Sequence, residues 1–509
     1  VRPITFFVNW LRFATPRLGC VLALALSVAC GGSGQPPTLD QGAGVGPRAA
    51  ALLAEAIRID TTNPPGNEAR LAEHLALFLR GEGVEAEVIP LPEPGSPRAA
   101  VWARVPASKA RSEPQANGVT GAAGPGRPLI LLSHLDVVPA EPEAWTVDPY
   151  AGVVGGGFVV GRGALDAKGV TVTHVLTLSE LRRRGIGLGR DVILLATPDE
   201  EAGGRVGAAL IAEQRPDLLG GAAWLLTEGG GILPGEAGTP DVWGVAFTEK
   251  TPCWLTLAAT GVAGHGAGAS ADAATHRLVA ALARVAALRF ETSVVPEVAQ
   301  MFAALAPLAA PEDRAGYASL RGALALDPGF RARFLEDGGR AALVRTTAAI
   351  TTLSGSERIN VLPSEARAGI DVRLLPGESC EDFAARVREV VADPAVSVRI
   401  DLSFDANSSA TDTALMEAIR RVAAKSSPQG VVVPRVIAGF TDAHWFRAQG
   451  IVAYGFVPRR LRPVETRGVH GVNERISIEN LALGVESTLA ILRELDAVEG
   501  GDGGGGGPQ

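Results

Sequence analysis

Two adjacent glutamates, Glu200 and Glu201, follow an apolar run in the segment Thr197-Pro198-Asp199-Glu200-Glu201-Ala202-Gly203-Gly204. Successive side chains of an extended segment point to opposite faces, so such neighbours cannot share one task. The pair suits a site where one carboxylate holds a metal and the other takes a proton from water activated there. His134-Leu135-Asp136, Asp166, Glu228 and His470 add to it, each at the end of an apolar run or beside glycine. Histidine, aspartate and glutamate without a thiolate form a donor set for two Zn2+ ions, or for cobalt or manganese in the same geometry. Asp136 fits behind His134, since a ligating imidazole usually gives its other N–H to a carboxylate. Asp166 lies in the glycine-flanked stretch Gly161-Arg162-Gly163-Ala164-Leu165-Asp166-Ala167-Lys168-Gly169 and is the natural carboxylate to bridge two metals. Asp166, Glu201 and Glu228 then neutralise most of the charge of two dications, which leaves Glu200 free as a general base.

The elements that would position these groups alternate. Strand-like runs at Val84–Ile89, Leu129–Leu132, Asp191–Ala196 and Ala222–Leu226 are interleaved with helical spacing at 71–79, Val170–Arg184 and Arg205–Gln214. That alternation predicts an α/β fold with a doubly wound mixed sheet. Ligands of such sheets collect beyond the carboxyl ends of the strands, where His134, Glu200, Glu201 and Glu228 all fall. Beyond Val245 the texture changes. Strands at Trp254–Ala259, Ala366–Leu374 and Val396–Leu402, helices at Ala274–Leu288 and Glu381–Val391, and a long Ala/Leu-rich helical stretch at Val294–Leu343 predict an inserted ferredoxin-like α+β lid. The α/β pattern resumes with a helix at Thr413–Lys425, a strand at Ile451–Phe456 and a helix at Ile478–Leu495. The expected organisation is a catalytic domain over 46–250 and 405–498, interrupted by a lid over 251–404 that serves dimerisation, with a homodimer possible.

At 509 residues, two domains are expected. A net charge of −8, without a Lys/Arg-rich run, argues against a nucleic-acid partner. None of the four cysteines forms a CxxC pair, so a cysteine zinc site is excluded. Cys253 and Cys380 are either a pair or two separate buried thiols. At the N-terminus, Arg12 and Arg17 precede the apolar run Leu18–Ala29, which is too short for a bilayer but right for a signal-peptide core. Ser27-Val28-Ala29-Cys30-Gly31-Gly32-Ser33 resembles a bacterial lipoprotein processing site, with Ser27 departing from the usual leucine. The segment 1–30 is therefore read as an export signal, with lipidation of Cys30 as the one route to a membrane and a periplasmic or outer-membrane location. Residues 31–45 read as a tether and 499–509 as a Gly-rich tail.

Several ordered blocks carry a family resemblance between about Ile59 and Leu495. They are Asp60-Thr61-Thr62-Asn63-Pro64-Pro65-Gly66-Asn67-Glu68, Ser133-His134-Leu135-Asp136-Val137-Val138-Pro139, and the Asp166 and Glu200-Glu201 segments above. Thr227-Glu228-Gly229-Gly230, Asn360-Val361-Leu362-Pro363 and Val469-His470-Gly471-Val472-Asn473-Glu474-Arg475 complete the set. The chain resembles the zinc carboxypeptidase and aminoacylase family, in its carboxypeptidase S branch with N-acyl-amino-acid hydrolase relatives. The resemblance implies one metal on His134, Asp166 and Glu228 and another on Asp166, Glu201 and His470, with Glu200 as base and Asp136 backing His134. It implies that His265 in the lid meets the developing oxyanion, although Gly266 follows it where serine is usual. Asn360 and Arg373 would contact the substrate carboxylate, with a structural ion pair as the other role open to Arg373. Asp442 matches a position near the metals, with structural support as its other open role, and the Asp166–Ala167 bond is expected to be cis. The implied reaction cleaves an amide next to a free carboxylate, in a peptide or an N-acyl amino acid. A di-zinc aminopeptidase would use a similar donor set but no such lid, and an inactive binding lipoprotein would not need the complete set.

Overall fold

The computed structural model describes residues 44–92, 96–108, 126–235, 239–268, 270–466 and 468–500. The export segment, Cys30 and nearly all of the tether lie outside them. Among the described residues, a nine-stranded mixed sheet forms the centre. Its strands run in the order Glu85–Pro90, Ala99–Val105, Val192–Thr197, Leu129–His134, Trp224–Thr227, Val452–Gly455, Val242–Glu249 and Val431–Ile437, with Gly231–Leu233 paired to Val242–Glu249. The middle of the sheet is parallel, Leu129–His134 lying between Val192–Thr197 and Trp224–Thr227.

Both faces of this sheet are covered, which is why its strands read as unbroken apolar runs rather than alternating ones. Leu129 and Leu131 belong to one apolar core, while Ile130 and Leu132 belong to another on the opposite face. Helices Val45–Arg58, Lys168–Arg183, Ala414–Ser426 and Ile478–Gly500 pack against one another in the first layer. The last of these runs beyond the expected end at Leu495 and takes in Glu499 and Gly500, assigned from sequence to the tail. Glu499 is held there by Arg190, whose Nη2 donates to it at 2.8 Å.

The lid is a four-stranded antiparallel sheet in the order Thr347–Ser354, Glu365–Leu374, Thr251–Thr260, Val396–Ser403, backed by helices Ala274–Ala286 and Cys380–Val391. This is the expected strand-helix-strand-strand-helix-strand arrangement. Cys253 and Cys380 are joined in a disulfide that ties a central strand to the start of a helix, with Cα atoms 5.4 Å apart.

The stretch expected as one long helical run is a chain of short helices: Pro296–Leu305, Arg314–Ala318, Leu320–Leu326, Pro328–Glu336 and Gly338–Leu343. Proline breaks it at 307, 311 and 328, since each lacks the N–H a continuing helix needs. Asp327 and Asp337 cap the later helices by accepting from Phe330 N at 2.9 Å and Arg340 N at 2.7 Å. Its apolar residues Val298, Phe302, Phe330 and Phe334 join the core of the central sheet, not that of the lid.

Candidate metal centre and active site

The carboxyl ends of the parallel strands deliver the site. His134 closes its strand, Glu200 and Glu201 follow Val192–Thr197, and Glu228 follows Trp224–Thr227. His134 Nε2 lies 3.0 Å from Asp166 Oδ1 and 3.3 Å from Glu228 Oε1. His470 Nε2 lies 3.2 Å from Asp166 Oδ2 and 3.2 Å from Glu201 Oε1. Two clusters of donors therefore share Asp166: His134, Asp166 and Glu228 on one side, and Asp166, Glu201 and His470 on the other. Glu200 belongs to neither and sits 3.9 Å from His134 Nε2.

The electrostatics fit a cation site. Burial pushes the carboxyl groups of Glu200, Glu201 and Glu228 upward; neighbouring carboxylates add to this, and the imidazoles of His134 and His470 oppose it. Asp166 moves the other way: burial would raise it, but hydrogen bonds to His134 and His470 hold it well below the usual carboxylate range. His470 is pushed up to about 10, chiefly by its bonds to Asp166 and Glu201. Several buried acids thus compete for two imidazoles, a surplus of negative charge that dications balance. Nitrogen and carboxylate oxygen donors without sulfur suit zinc, cobalt or manganese.

Asp136 does more than stand behind His134. The nearest partner of His134 Nδ1 is the Asp136 backbone carbonyl at 3.0 Å, with the carboxylate at 3.5 Å. That carboxylate accepts the N–H groups of Glu200 and Glu201, each at 3.1 Å, and Asn63 Nδ2 at 2.8 Å. It therefore fixes the backbone of both glutamates as well as the histidine strand. Arg98 holds the outer end of this network, donating to Asn63 Oδ1 and Asp199 Oδ1, both at 2.6 Å. Asp199 itself is left-handed at φ 78°, which turns the chain sharply before Glu200.

Glu474 organises the opposite side. Its buried carboxylate accepts from Arg162 Nη1 at 2.7 Å and from the backbone N–H groups of Gly163 at 3.0 Å, Leu165 at 2.6 Å and Asp166 at 3.0 Å. This one side chain ties the loop bearing Asp166 to the segment bearing His470. The Asp166–Ala167 bond is cis, as the resemblance implied. Asp442 is buried beside the site and accepts from Thr197 Oγ1 at 3.0 Å.

A cavity of about 940 Å³ opens from Asp166, Glu200, Glu201, Glu228 and His470. Arg373 lines it from the lid. Its Nε and Nη2 donate to Asp371 at 2.7 and 3.1 Å, its guanidinium stacks over Phe440, and Nη1 is buried with no hydrogen-bond partner among the described residues. Asn360 and His265 are elsewhere. They meet on the exposed edge of the lid, where Gly264 and His265 pair with Leu362 and Val361 and Gly266 N donates to Asn360 O at 2.7 Å. The predicted residues thus form two groups, one around the metal donors with Arg373 and one on a separate lid surface. His174 is buried in a helix, His276 is exposed, and His74 pairs with Glu55, none of them lining the cavity.

Comparison with known proteins decides the lineage: the model of peptidase family M20/M25/M40 matches residues 130–494. The chain belongs to that family. Among its M20 relatives, mouse N-fatty-acyl-amino acid synthase/hydrolase PM20D1 is 29% identical over 383 residues, covering 73% of this chain and 74% of that protein. Mouse aminoacylase-1 is 25% identical over 379 residues, covering 74% of this chain and 81% of its own length. The fold matches the M20 metallo-carboxypeptidase Sso-CP2 of Sulfolobus solfataricus, with a TM-score of 0.64 at 17% identity over 88% of this chain and 99% of the other. This M20 protein is accordingly an enzyme, a hydrolase acting on amides of amino acids or peptides.

Sequence motifs pointed to the donors directly, but not to the scaffold around them. Asn63 and Glu474 lie inside the quoted blocks, but each sits beside polar residues, so no local contrast singled them out. Arg98 lies in no block and was invisible without the fold.

Proposed function

We propose that the protein is a dinuclear metallohydrolase that cleaves the amide of an N-acyl amino acid, with two zinc ions held by His134, Asp166 and Glu228 and by Asp166, Glu201 and His470. The observation that carries this is the pair of donor clusters sharing Asp166, with Glu200 beside both and a member of neither. When bound, such ions supply Lewis acidity toward a carbonyl oxygen and lower the pKa of a water. Glu200 takes the proton of the attacking water on its carboxylate and returns it to the nitrogen of the leaving amine. Arg373, with Nη1 free and its ring-stacked plane fixed, receives the carboxylate of the amino-acid half in a fork. The acyl half enters the cavity, whose walls include Ile232, Leu233, Val242, Met301, Leu305 and Val433. Those apolar walls favour an acyl group over a peptide backbone, which would bring polar groups there without partners.

His265 serves the oxyanion after the lid closes or from a second copy of the chain. Ala267 N donates to His265 Nδ1 at 3.0 Å, which leaves the ring proton on Nε2, facing outward as a donor. The exposed edge strand Thr347–Ser354 is the surface on which a second copy would pair. Export is supported by the Cys253–Cys380 disulfide, which belongs in an oxidising compartment.

The test compares Glu200→Gln with Glu201→Gln. Glu200→Gln should keep both metals and lose about 10²–10⁴-fold or more in turnover, whereas Glu201→Gln should lose metal. Equal metal loss in both would overturn the assignment. A panel of N-acyl amino acids, blocked dipeptides and aminoacyl amides assigns the substrate. Hydrolysis of peptides alone would place the enzyme among carboxypeptidases, and of aminoacyl amides alone among aminopeptidases.

A further inference from the structure

Among the described residues, the side chain of one cation in the substrate cavity has no partner. Arg373 is bound to Asp371, and Arg459 donates to the Leu165 carbonyl at 2.9 Å. Arg435 lines the same cavity, yet among the described residues its side chain makes no hydrogen bond or ion pair. It lies on Val431–Ile437, the edge strand of the central sheet. Val433, Arg435 and Ile437 all line the cavity, as alternate residues of one strand face should. Pro434 and Val436 are buried, and Val436 belongs to the apolar core. The Arg435 stem passes over Gly244, where a Cβ would stand 3.5 Å from its Cδ. Gly244 pairs with Gly231, three residues beyond Glu228, so the glycine floor Gly229-Gly230-Gly231 leads from the metal donors to this arginine. Met301 stands over the same strand, its sulfur 3.4 Å from Val436 N.

Arg435 is the exposed member of its strand, so its guanidinium is open to the cavity, and among the described residues no carboxylate lies within ion-pair distance of it. An acyl group that is apolar to its end would cover this charge and leave it unpaired, which is costly. An anion at the far end would instead form a charge-assisted hydrogen bond with it as the bound chain displaces water from the cavity. From this geometry we infer that Arg435 is a specificity-determining residue that receives an anionic group at the distal end of the acyl half, so that preferred substrates are amino acids acylated by a dicarboxylic acid. The inference rests on the N-acyl-amino-acid function proposed above. Arg373 would hold the carboxylate next to the scissile amide and Arg435 the one at the other end, with the apolar walls on the methylenes between.

The experiment uses the metal-loaded full-length enzyme and matched pairs of N-acyl amino acids: glutaryl with pentanoyl, adipoyl with hexanoyl, suberoyl with octanoyl. At least one diacid member should exceed its neutral partner in kcat/KM by about tenfold to a hundredfold, the span of one hydrogen bond to a charged group. Arg435→Met should collapse that ratio toward one, and Arg435→Lys should keep part of it. Free adipate should inhibit the parent enzyme competitively and lose its advantage over hexanoate in Arg435→Met. Preference for the neutral members, or a diacid preference that survives in Arg435→Met, would overturn the inference while leaving N-acyl-amino-acid hydrolysis intact. Failure to cleave any member, with peptides cleaved instead, would overturn the underlying function as well.

Discussion

Replacing Glu474 by glutamine removes the knot between the two metal-bearing segments without changing side-chain size. The carboxylate accepts four donors, two on each oxygen: Leu165 N and Asp166 N on Oε1, and Arg162 Nη1 and Gly163 N on Oε2. An amide keeps one acceptor oxygen and turns an NH2 group toward the other two donors, so two bonds are lost whichever way it sits. In either orientation the Arg162 guanidinium, which is 3% exposed, loses its countercharge and would be left as a buried, unneutralised cation. Removing one member of a buried pair costs about 3–5 kcal/mol, a large share of the roughly 5–15 kcal/mol that holds a typical domain folded. Burial itself pushes the Glu474 carboxyl upward, and the donors only partly offset it, so the ion pair is kept at a cost. Replacing both members should therefore hurt less than replacing one. The assay is urea unfolding of the parent, Glu474→Gln, Arg162→Met and the double variant, each with metal and with a chelator, and metal content at limiting zinc. Glu474→Gln should lose about 3–5 kcal/mol even without metal and bind zinc more weakly, while the double variant recovers part of the stability. A midpoint unchanged in Glu474→Gln, or strictly additive losses in the double variant, would refute the reasoning.

The pH dependence of stability should carry the mark of His174, which burial, aided by the nearby Arg459 charge, lowers to about 3. Its neutral form belongs to the fold, so its contribution is full above the unfolded pKa near 6.5 and is lost as pH falls from there toward 3. His174→Leu should flatten the stability–pH curve between those limits, and an unchanged slope would assign the acid sensitivity elsewhere. His265→Ala should lower kcat by about 10²–10³-fold, the scale of one lost oxyanion donor, with zinc content intact; full activity would reduce it to a loop residue. Converting both Cys253 and Cys380 to serine opens a link across 127 positions, which the chain-entropy relation values at about 4–5 kcal/mol. Calorimetry with and without reductant measures it, and a parent protein indifferent to reductant would contradict a stabilising role.

What was legible in the chain follows from how local each signal is. The parallel strands could be read because burial on both faces makes them continuous apolar runs, and each ends on a residue that chemistry marks, as Leu129–His134 does. Strands that alternate or lie at edges were less visible. Val242–Glu249 and Val431–Ile437 were missed, the first because it straddles the expected change of domain and the second because Pro434 sits within it. The edge position of the second tolerates that proline, because an edge strand has one side free of ladder bonds. Both turn out to shape the cavity, so strands that the sequence concealed bear on specificity.

The site divides along the same line. Ligand types declare themselves in sequence, since a histidine at a strand end beside an aspartate has few structural uses. Geometry does not. Asp136 was legible as a partner of His134, but its grip on the N–H groups of both Glu200 and Glu201 needs three loops brought to one point. That grip gives the adjacent glutamates their different tasks. One carboxylate anchors both backbones, so Glu201 can turn toward His470 while Glu200 stays beside His134. Disturbing Asn63 or Arg98, at the outer end of the same network, should therefore shift Glu200 and Glu201 together and not one alone. The spacing of the two glutamates proposes a division of labour, and the buried aspartate between their strands and the histidine strand enforces it.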